Sequence, residues 1–256
     1  MTDSTELIFK IDQAMQAASL ELIDFLQSLV QTPSLPDHEH AVQEKVAKKL
    51  QSLGLEVTIL PSLFEELRQH PAFGDDGFSP DQRINVLGRW KGTQRGQGQS
   101  LILNGHVDVV PPGDPDLWSD SPWSGMIRDG RLYGRGACDM KAGLCAGILA
   151  VDVLQRLGFS PARDVLIESV IGEETGGVGT LTTILKGFTA AAAVLLEPTH
   201  LEICPVQSGA LTFRLTVPGK AAHAAMKPEG VSAIEKFMLF LKAINQLEVE
   251  RHKGFN

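Results

Sequence analysis

Cysteine is scarce in this 256-residue chain, and the three present are Cys138, Cys145 and Cys204. An odd number without paired metal-type spacing excludes a disulfide framework and a structural zinc ribbon, and it favours a reducing, cytoplasmic setting in which the thiols are buried as small apolar side chains. An excess of positive charge is also missing. Lys and Arg number 23 against 31 Asp and Glu, a net charge of −8, which argues against nucleic acid or an anionic membrane surface as partner. Residues 1–12 carry charges and no apolar run of the signal-peptide kind, and nowhere do 18 apolar residues follow one another. What remains is ordinary globular composition, with 43% hydrophobic and 21% charged residues, enough for a sizeable core.

The apolar periodicity predicts helices over Leu20–Val30, ended by Pro33, and over Ala41–Leu53, closed by Gly54. Strands are expected over Leu55–Leu60, Ile84–Trp90 and Ser100–His106. The segment 61–82, with Phe64, Leu67, Phe73 and Gly74, reads as a short helix and a loop, and 92–99 as a Gly/Gln-rich turn. A small-residue helix over Ala142–Leu157 and strands over Asp164–Ile171 and Ala191–Leu196 follow. Further on, Leu201–Cys204 and Gly209–Val217 are expected as strands and Val231–Leu247 as an amphipathic helix.

Several acidic residues and one histidine fall at the ends of these elements. His106 closes a strand and Asp108 stands two residues on; Asp139 immediately precedes a helix; Glu173-Glu174 and Glu197 each follow an apolar run. In open α/β sheets, ligand sites gather beyond the carboxyl ends of strands. Each signal has an ordinary reading alone: a surface His, a helix N-cap, a solvated acidic loop, a turn at Glu197-Pro198. Together, an imidazole and several carboxylates suit divalent metals. The i, i+2 spacing lets Asp108 face the His106 ring and brace it. Two ions about 3.5–4 Å apart require a shared anionic ligand, and Asp139, short and framed by Gly134, Gly136 and Gly143, suits that position. A free carboxylate beside the metals can serve as base, provided Gly172, Gly176 and Gly177 bend the loop so that both Glu173 and Glu174 face one cleft.

The order Gly-His-Val-Asp at 105–108, Gly-Arg-Gly-Ala-Cys-Asp-Met-Lys at 134–141, Gly-Glu-Glu-Thr-Gly-Gly at 172–177 and Leu-Glu-Pro-Thr at 196–199 resembles the co-catalytic zinc family of acetylornithine deacetylase, succinyl-diaminopimelate desuccinylase, aminoacylase and glutamate carboxypeptidase. The resemblance runs from about residue 15 onward. It implies an α/β, zinc-peptidase-like three-layer domain with a central mixed sheet over 1–206, and the beginning of an α+β, ferredoxin-like lid or dimerisation domain over 207–256. It makes His106 and Glu197 ligands of one zinc, Asp139 the bridge, Glu174 a ligand of the other zinc, Glu173 the general base and Asp108 the orienting partner of His106. His223, in Gly219-Lys220-Ala221-Ala222-His223, would polarise the scissile carbonyl. A cis peptide after Asp139 is implied too.

By the same resemblance the cofactors are two Zn2+ ions, with Co2+ or Mn2+ chemically acceptable. The partners are an N-acyl amino acid or short peptide and a second copy joined through the lid. The expected reaction is deacylation of an N-acyl amino acid, acetylornithine deacetylase-like; dipeptidase or carboxypeptidase action, or a non-catalytic metal-binding remnant, stands as the alternative. Relatives continue through the rest of the lid and return to supply a last histidine to the second zinc. The chain is therefore expected to be either a piece of a longer reading frame or a truncated product with an incomplete second site. His252, directly after the helix, is not assigned that role.

Overall fold

The computed structural model describes residues 4–62, 64–75, 77–79, 81–94, 97–206, 209 and 213–253. The chain divides into two compact units, Met1–Ile203 and Cys204–Asn256.

The first unit is built on a five-stranded mixed sheet. Its strands are β1 (Glu56–Pro61), β2 (Ile84–Trp90), β3 (Leu101–His106), a later strand Val165–Val170 and a last one Ala192–Leu195. Between β3 and the fourth of these runs a small hairpin, β4 (Met126–Arg128) with β5 (Arg131–Tyr133), so the two remaining sheet strands are β6 and β7. The order is β1-β2-β6-β3-β7. β6, β3 and β7 run parallel, whereas β2 is antiparallel to both β1 and β6. The carboxyl ends of the three parallel strands therefore lie on one edge.

Helices α1 (Ser4–Val30), α2 (His40–Ser52) and α4 (Ala142–Arg156) cover one face; the short α3 (Phe64–Leu67) lies between β1 and β2, and α5 (Val178–Leu185) joins β6 to β7. Strand periodicity sorts the core between the faces. Along β6, Ile167 joins Leu29, Val46, Leu50, Leu144 and Ile148 under the three long helices, and Ser169 bonds Gln43 of α2. The alternating residues face the other way: Leu166 packs with Leu87 and Ile102, and Glu168 meets Thr183 of α5. At residue 88 the sheet and α2 approach so closely that a Cβ would stand 2.9 Å from Leu50. Glycine is the residue that fits there.

Several expectations need correction. α1 begins at Ser4 rather than Leu20: residues 4–19 hold good helix formers without Gly or Pro, and Lys10 pairs with Glu6 one turn earlier at 2.6 Å. α5 and the β4-β5 hairpin were not foreseen; both are too short for periodicity to distinguish. Leu201–Cys204 is not a strand. His200 and Leu201 have φ of 55° and 64°, which breaks extended backbone, and Leu201 and Ile203 are exposed. In the second unit, residues 209 and 213–217 form no strand, and 210–212 lie outside the described residues. An isolated bridge joins Lys220 to Val231, and α6 (Ala233–His252) begins at a Ser232 cap whose hydroxyl accepts from Glu235 N. Of the cysteines only Cys145 is buried; Cys138 and Cys204 are exposed. Among the described residues no helix is long and apolar enough to cross a membrane.

Candidate metal centre

Four chain segments converge at the carboxyl edge of the parallel strands. β3 ends at His106, which is in register with Val170 at the end of β6. Beyond β6 the chain turns sharply through Gly172, Gly176 and Gly177, with φ of 64°, 140° and 77°, and Gly177 N donates to Gly172 O at 2.7 Å. The left-handed values need glycine, and the bend they allow lets Glu173 and Glu174 share one cleft. Leu196 N donates to Asn104 O at 3.0 Å just past β7, so Glu197 emerges beside β3. Asp139 lies in the tight turn Ala137–Lys141, entered through Gly136 at φ 79° and containing a cis Asp139-Met140 peptide.

The six residues His106, Asp108, Asp139, Glu173, Glu174 and Glu197 are brought together. His106 Nε2 is 3.2 Å from Asp139 Oδ1 and 3.8 Å from both Glu173 Oε2 and Glu197 Oε1. Two sets of ligand atoms, His106-Glu173-Glu197 and His106-Asp139-Glu174, each lie within 4.8 Å of one another. Ligands held at 2.0–2.1 Å around a tetrahedral zinc stand roughly 3.3 Å apart, so small adjustments of exposed carboxylates suffice to close either set on an ion. Glu173 and Glu197 are equally near the imidazole, so distance alone does not separate a base from a ligand.

The ring is set by its other nitrogen. Nδ1 lies 2.9 Å from the backbone carbonyl of Asp108 and 3.6 Å from its carboxylate. A carbonyl only accepts, so Nδ1 carries a proton, which leaves Nε2 as the nitrogen that faces the carboxylates and would give its lone pair to a metal. The nearer brace is thus the Asp108 backbone. Its carboxylate, fully buried, accepts the backbone N–H of Glu173 at 3.2 Å and of Glu174 at 3.1 Å.

The electrostatics call for a cation. Burial works against a charge on His106, but the Asp108 hydrogen bond and the charges of Asp108, Glu197 and Glu173 outweigh it and push its pKa up to about 9. Burial, together with neighbouring carboxylates, raises Glu173, Glu174 and Glu197, while His106 opposes the rise. Five carboxylates around one imidazole leave excess negative charge in a half-buried cleft, which a divalent metal would neutralise. The donor set fits such ions.

His223 belongs to the second unit, where its Nδ1 accepts from Ala225 N at 3.2 Å and caps the turn Ala224–Glu229. Three features under the centre escaped the sequence reading. Ser34 Oγ donates to Val107 O at 2.7 Å; Asn104 Nδ2 donates to buried Glu168 at 2.8 Å; and Lys141, wholly buried, donates to the carbonyls of Leu29 and Thr32 at the end of α1. Only Lys141 left a trace, as the final residue of the Gly134–Lys141 motif.

Mixed sheet, helical layers and a carboxylate-histidine cluster at the strand ends define a metallohydrolase-like α/β domain. The family model for peptidase family M20/M25/M40 matches residues 102–254, more than half of the 256. The chain belongs to that family. It is 31% identical to N-formyl-4-amino-5-aminomethyl-2-methylpyrimidine deformylase of Halalkalibacterium halodurans across 95% of this chain and 55% of that protein. With the Bacillus subtilis protein of the same name it shares 29% across 94% of this chain and 55% of that one. The chain thus spans about half the length of these curated relatives. In fold it is similar to human carnosine dipeptidase 1, with a TM-score of 0.59 and 22% identity over 73% of this chain and 40% of that one. A tripeptidase of Staphylococcus aureus gives 0.53 and 25% over 88% and 55%.

Proposed function

We propose that the protein is a metal-dependent amidohydrolase that removes a small acyl group from an amine, with His106, Asp139, Glu174 and Glu197 as metal ligands and Glu173 as general base. The observation that carries this reading is the convergence of one correctly tautomerised imidazole with four half-exposed carboxylates at the strand ends. Zinc suits the donors, and cobalt or manganese would also serve. A bound metal pair would make water acidic at neutral pH and polarise the amide carbonyl.

The chain's own residues do the rest. Asp139, short and held in a turn, comes within 3.2 Å of His106, and by family resemblance it would be the carboxylate shared by two metal ions. Glu173 takes a proton on its carboxylate from the attacking water and passes it to the leaving nitrogen, a role helped by burial that raises its pKa above the ordinary carboxylate value. His223 carries carbonyl polarisation by family resemblance, and dimerisation through the second unit belongs to the same expectation.

For substrate, the two deformylases favour a formyl or other small acyl group on a primary amine over a peptide. This replaces acetylornithine as the preferred substrate, although an N-acyl amino acid remains within the same chemistry. The peptidase-like structures share the fold, and a dipeptidase reading rests on them. The test is hydrolysis by the Zn2+-loaded protein of a panel of N-formyl amines, N-acetyl amino acids and dipeptides. Faster turnover of the N-formyl and N-acetyl compounds supports the proposal; turnover of dipeptides alone would replace it with the peptidase reading, and two bound metals without any turnover would leave a binding role.

A further inference from the structure

A lysine ammonium with no solvent exposure must be held by something, and the partners of Lys141 are informative. Its Nζ donates to Leu29 O at 2.9 Å and to Thr32 O at 3.1 Å. Leu29 is in the last turn of α1 and Thr32 lies two residues past its end. The final carbonyls of a helix form the negative end of its dipole; Leu29 O also accepts from Thr32 N at 3.1 Å, so the lysine adds a second donor there and ties Thr32 O to the same ammonium. At the other end of the same residue, Lys141 N donates to Gly136 O at 3.0 Å. The stem runs so close to Gly136 that a Cβ there would stand 3.4 Å from both Cδ and Cε.

Between these ties sits Asp139. Its backbone is extended, at φ −118° and ψ 102°, and Met140 is also non-helical, whereas Lys141, at φ −56° and ψ −32°, is already helical. Lys141 is therefore where the chain passes from the turn that bears Asp139 into α4. The Asp139 side chain itself is 56% exposed and is not anchored by burial. We propose that Lys141 is the positioning residue for Asp139, its amino group clasping the carboxyl end of α1 so that the turn presents Asp139 to the metal ions beside His106. The proposal rests on the metal-centre reading above. Burial pushes the Lys141 pKa down to about 7, and either protonation state keeps the two N–H groups that the carbonyls take. The clasp is a matter of geometry rather than of charge.

The experiment is Co2+ titration of the 256-residue chain and of Lys141→Ala and Lys141→Met, followed by visible ligand-field absorption and calorimetry, with and without n-propylammonium. Residues that orient metal ligands typically contribute about 10–100-fold to affinity. Both variants are expected to keep the wild-type far-UV circular dichroism and to bind Co2+ more weakly by that factor. Propylammonium, which matches the atoms removed by alanine, should restore affinity and spectrum in Lys141→Ala but not in Lys141→Met, where the methionine fills the space. Wild-type Co2+ affinity in both variants would overturn the proposal. Weakened binding that the amine leaves unrestored, or loss of folding in both variants, would do the same, because the lysine would then serve the fold in general. A wild-type chain that binds no Co2+ would sink the metal-centre reading itself.

Discussion

The carboxylate of Asp108 accepts two consecutive backbone N–H groups, with Oδ1 3.2 Å from Glu173 N and Oδ2 3.1 Å from Glu174 N. One buried side chain thus fixes the loop that carries both glutamates, while the carbonyl of the same residue fixes the tautomer of His106. Asp108→Asn separates these roles. The carbonyl stays, so the Nδ1–H tautomer should persist, but one oxygen becomes a donor facing an N–H and the loop loses an anchor. Zn2+ affinity measured by calorimetry should fall about 10–100-fold. The His106 imidazolium, freed of the Asp108 charge, should lose its proton below the wild-type pKa of about 9, as nitrogen chemical shifts of the metal-free protein would reveal. Unchanged affinity would refute the anchoring role.

Glu173 stands as near His106 as Glu197 does, at 3.8 Å, so the division between base and ligand has to come from function. Glu173→Gln keeps the shape and removes the proton acceptor. Turnover should fall by about 10²–10⁴-fold, the usual contribution of a general base, with metal content intact by elemental analysis. Asp139→Ala should instead lose metal. Equal metal loss in Glu173→Gln would make Glu173 a ligand and require another base.

How much of this was readable beforehand depended on the range of the signal. Helix α2 and the sheet strands carry their period in six or more consecutive residues, or end at a marked Glu or Pro, so their bounds could be placed within a residue or two. The hairpin at 126–133 and α5 are too short for that, and Leu201–Cys204 has strand composition but is bent by positive φ at 200 and 201. For the site, side-chain chemistry and element ends pointed to the converging residues, and the left-handed glycines bore out the expected bend at 172–177. What could not be read were contacts distant in sequence. The bonds from Lys141 to α1 span more than a hundred residues, as do the bonds from Gln43 to β6.

Gly143 and Gly147 both lie on the side of α4 that approaches Leu196, the residue before Glu197, but they should respond differently to alanine. A Cβ on Gly143 would overlap the backbone carbonyl oxygen of Leu196, which cannot rotate away; one on Gly147 would stand 2.8 Å from Leu196 Cδ1, the end of a movable side chain. Overpacking costs typically about 1–3 kcal/mol, against a helix gain for Ala over Gly of about 1 kcal/mol. Gly143→Ala should therefore lose about 1–2 kcal/mol in urea unfolding and bind metal more weakly through a displaced Glu197. Gly147→Ala should be near neutral in both measurements. Equal effects would show that the 143 contact is relieved elsewhere.

Glu168 offers a pH test that does not touch the metal ligands. It is 2% exposed on β6; Oε2 accepts from Asn104 Nδ2 at 2.8 Å, and buried Oε1 has no hydrogen-bond partner among the described residues. Burial raises its pKa above the ordinary value of 4.5, although the bonds from Asn104 and Thr183 oppose the rise. Below that ordinary value the carboxyl is protonated in folded and unfolded chains alike, and the wild type has its full stability from this group. As pH rises the unfolded chain ionises first, so stability is lost progressively until pH passes the raised folded value. Glu168→Gln keeps an acceptor for Asn104 and cannot ionise. In urea unfolding of the metal-free protein, the variant should gain on the wild type as pH is raised from 4 to 8, and the gap should close as pH returns below the ordinary carboxylate value of 4.5. The other raised carboxylates are common to both chains and cancel in the difference. A gap that does not change with pH would mean that Glu168 titrates as an ordinary carboxylate and that the buried oxygen is solvated.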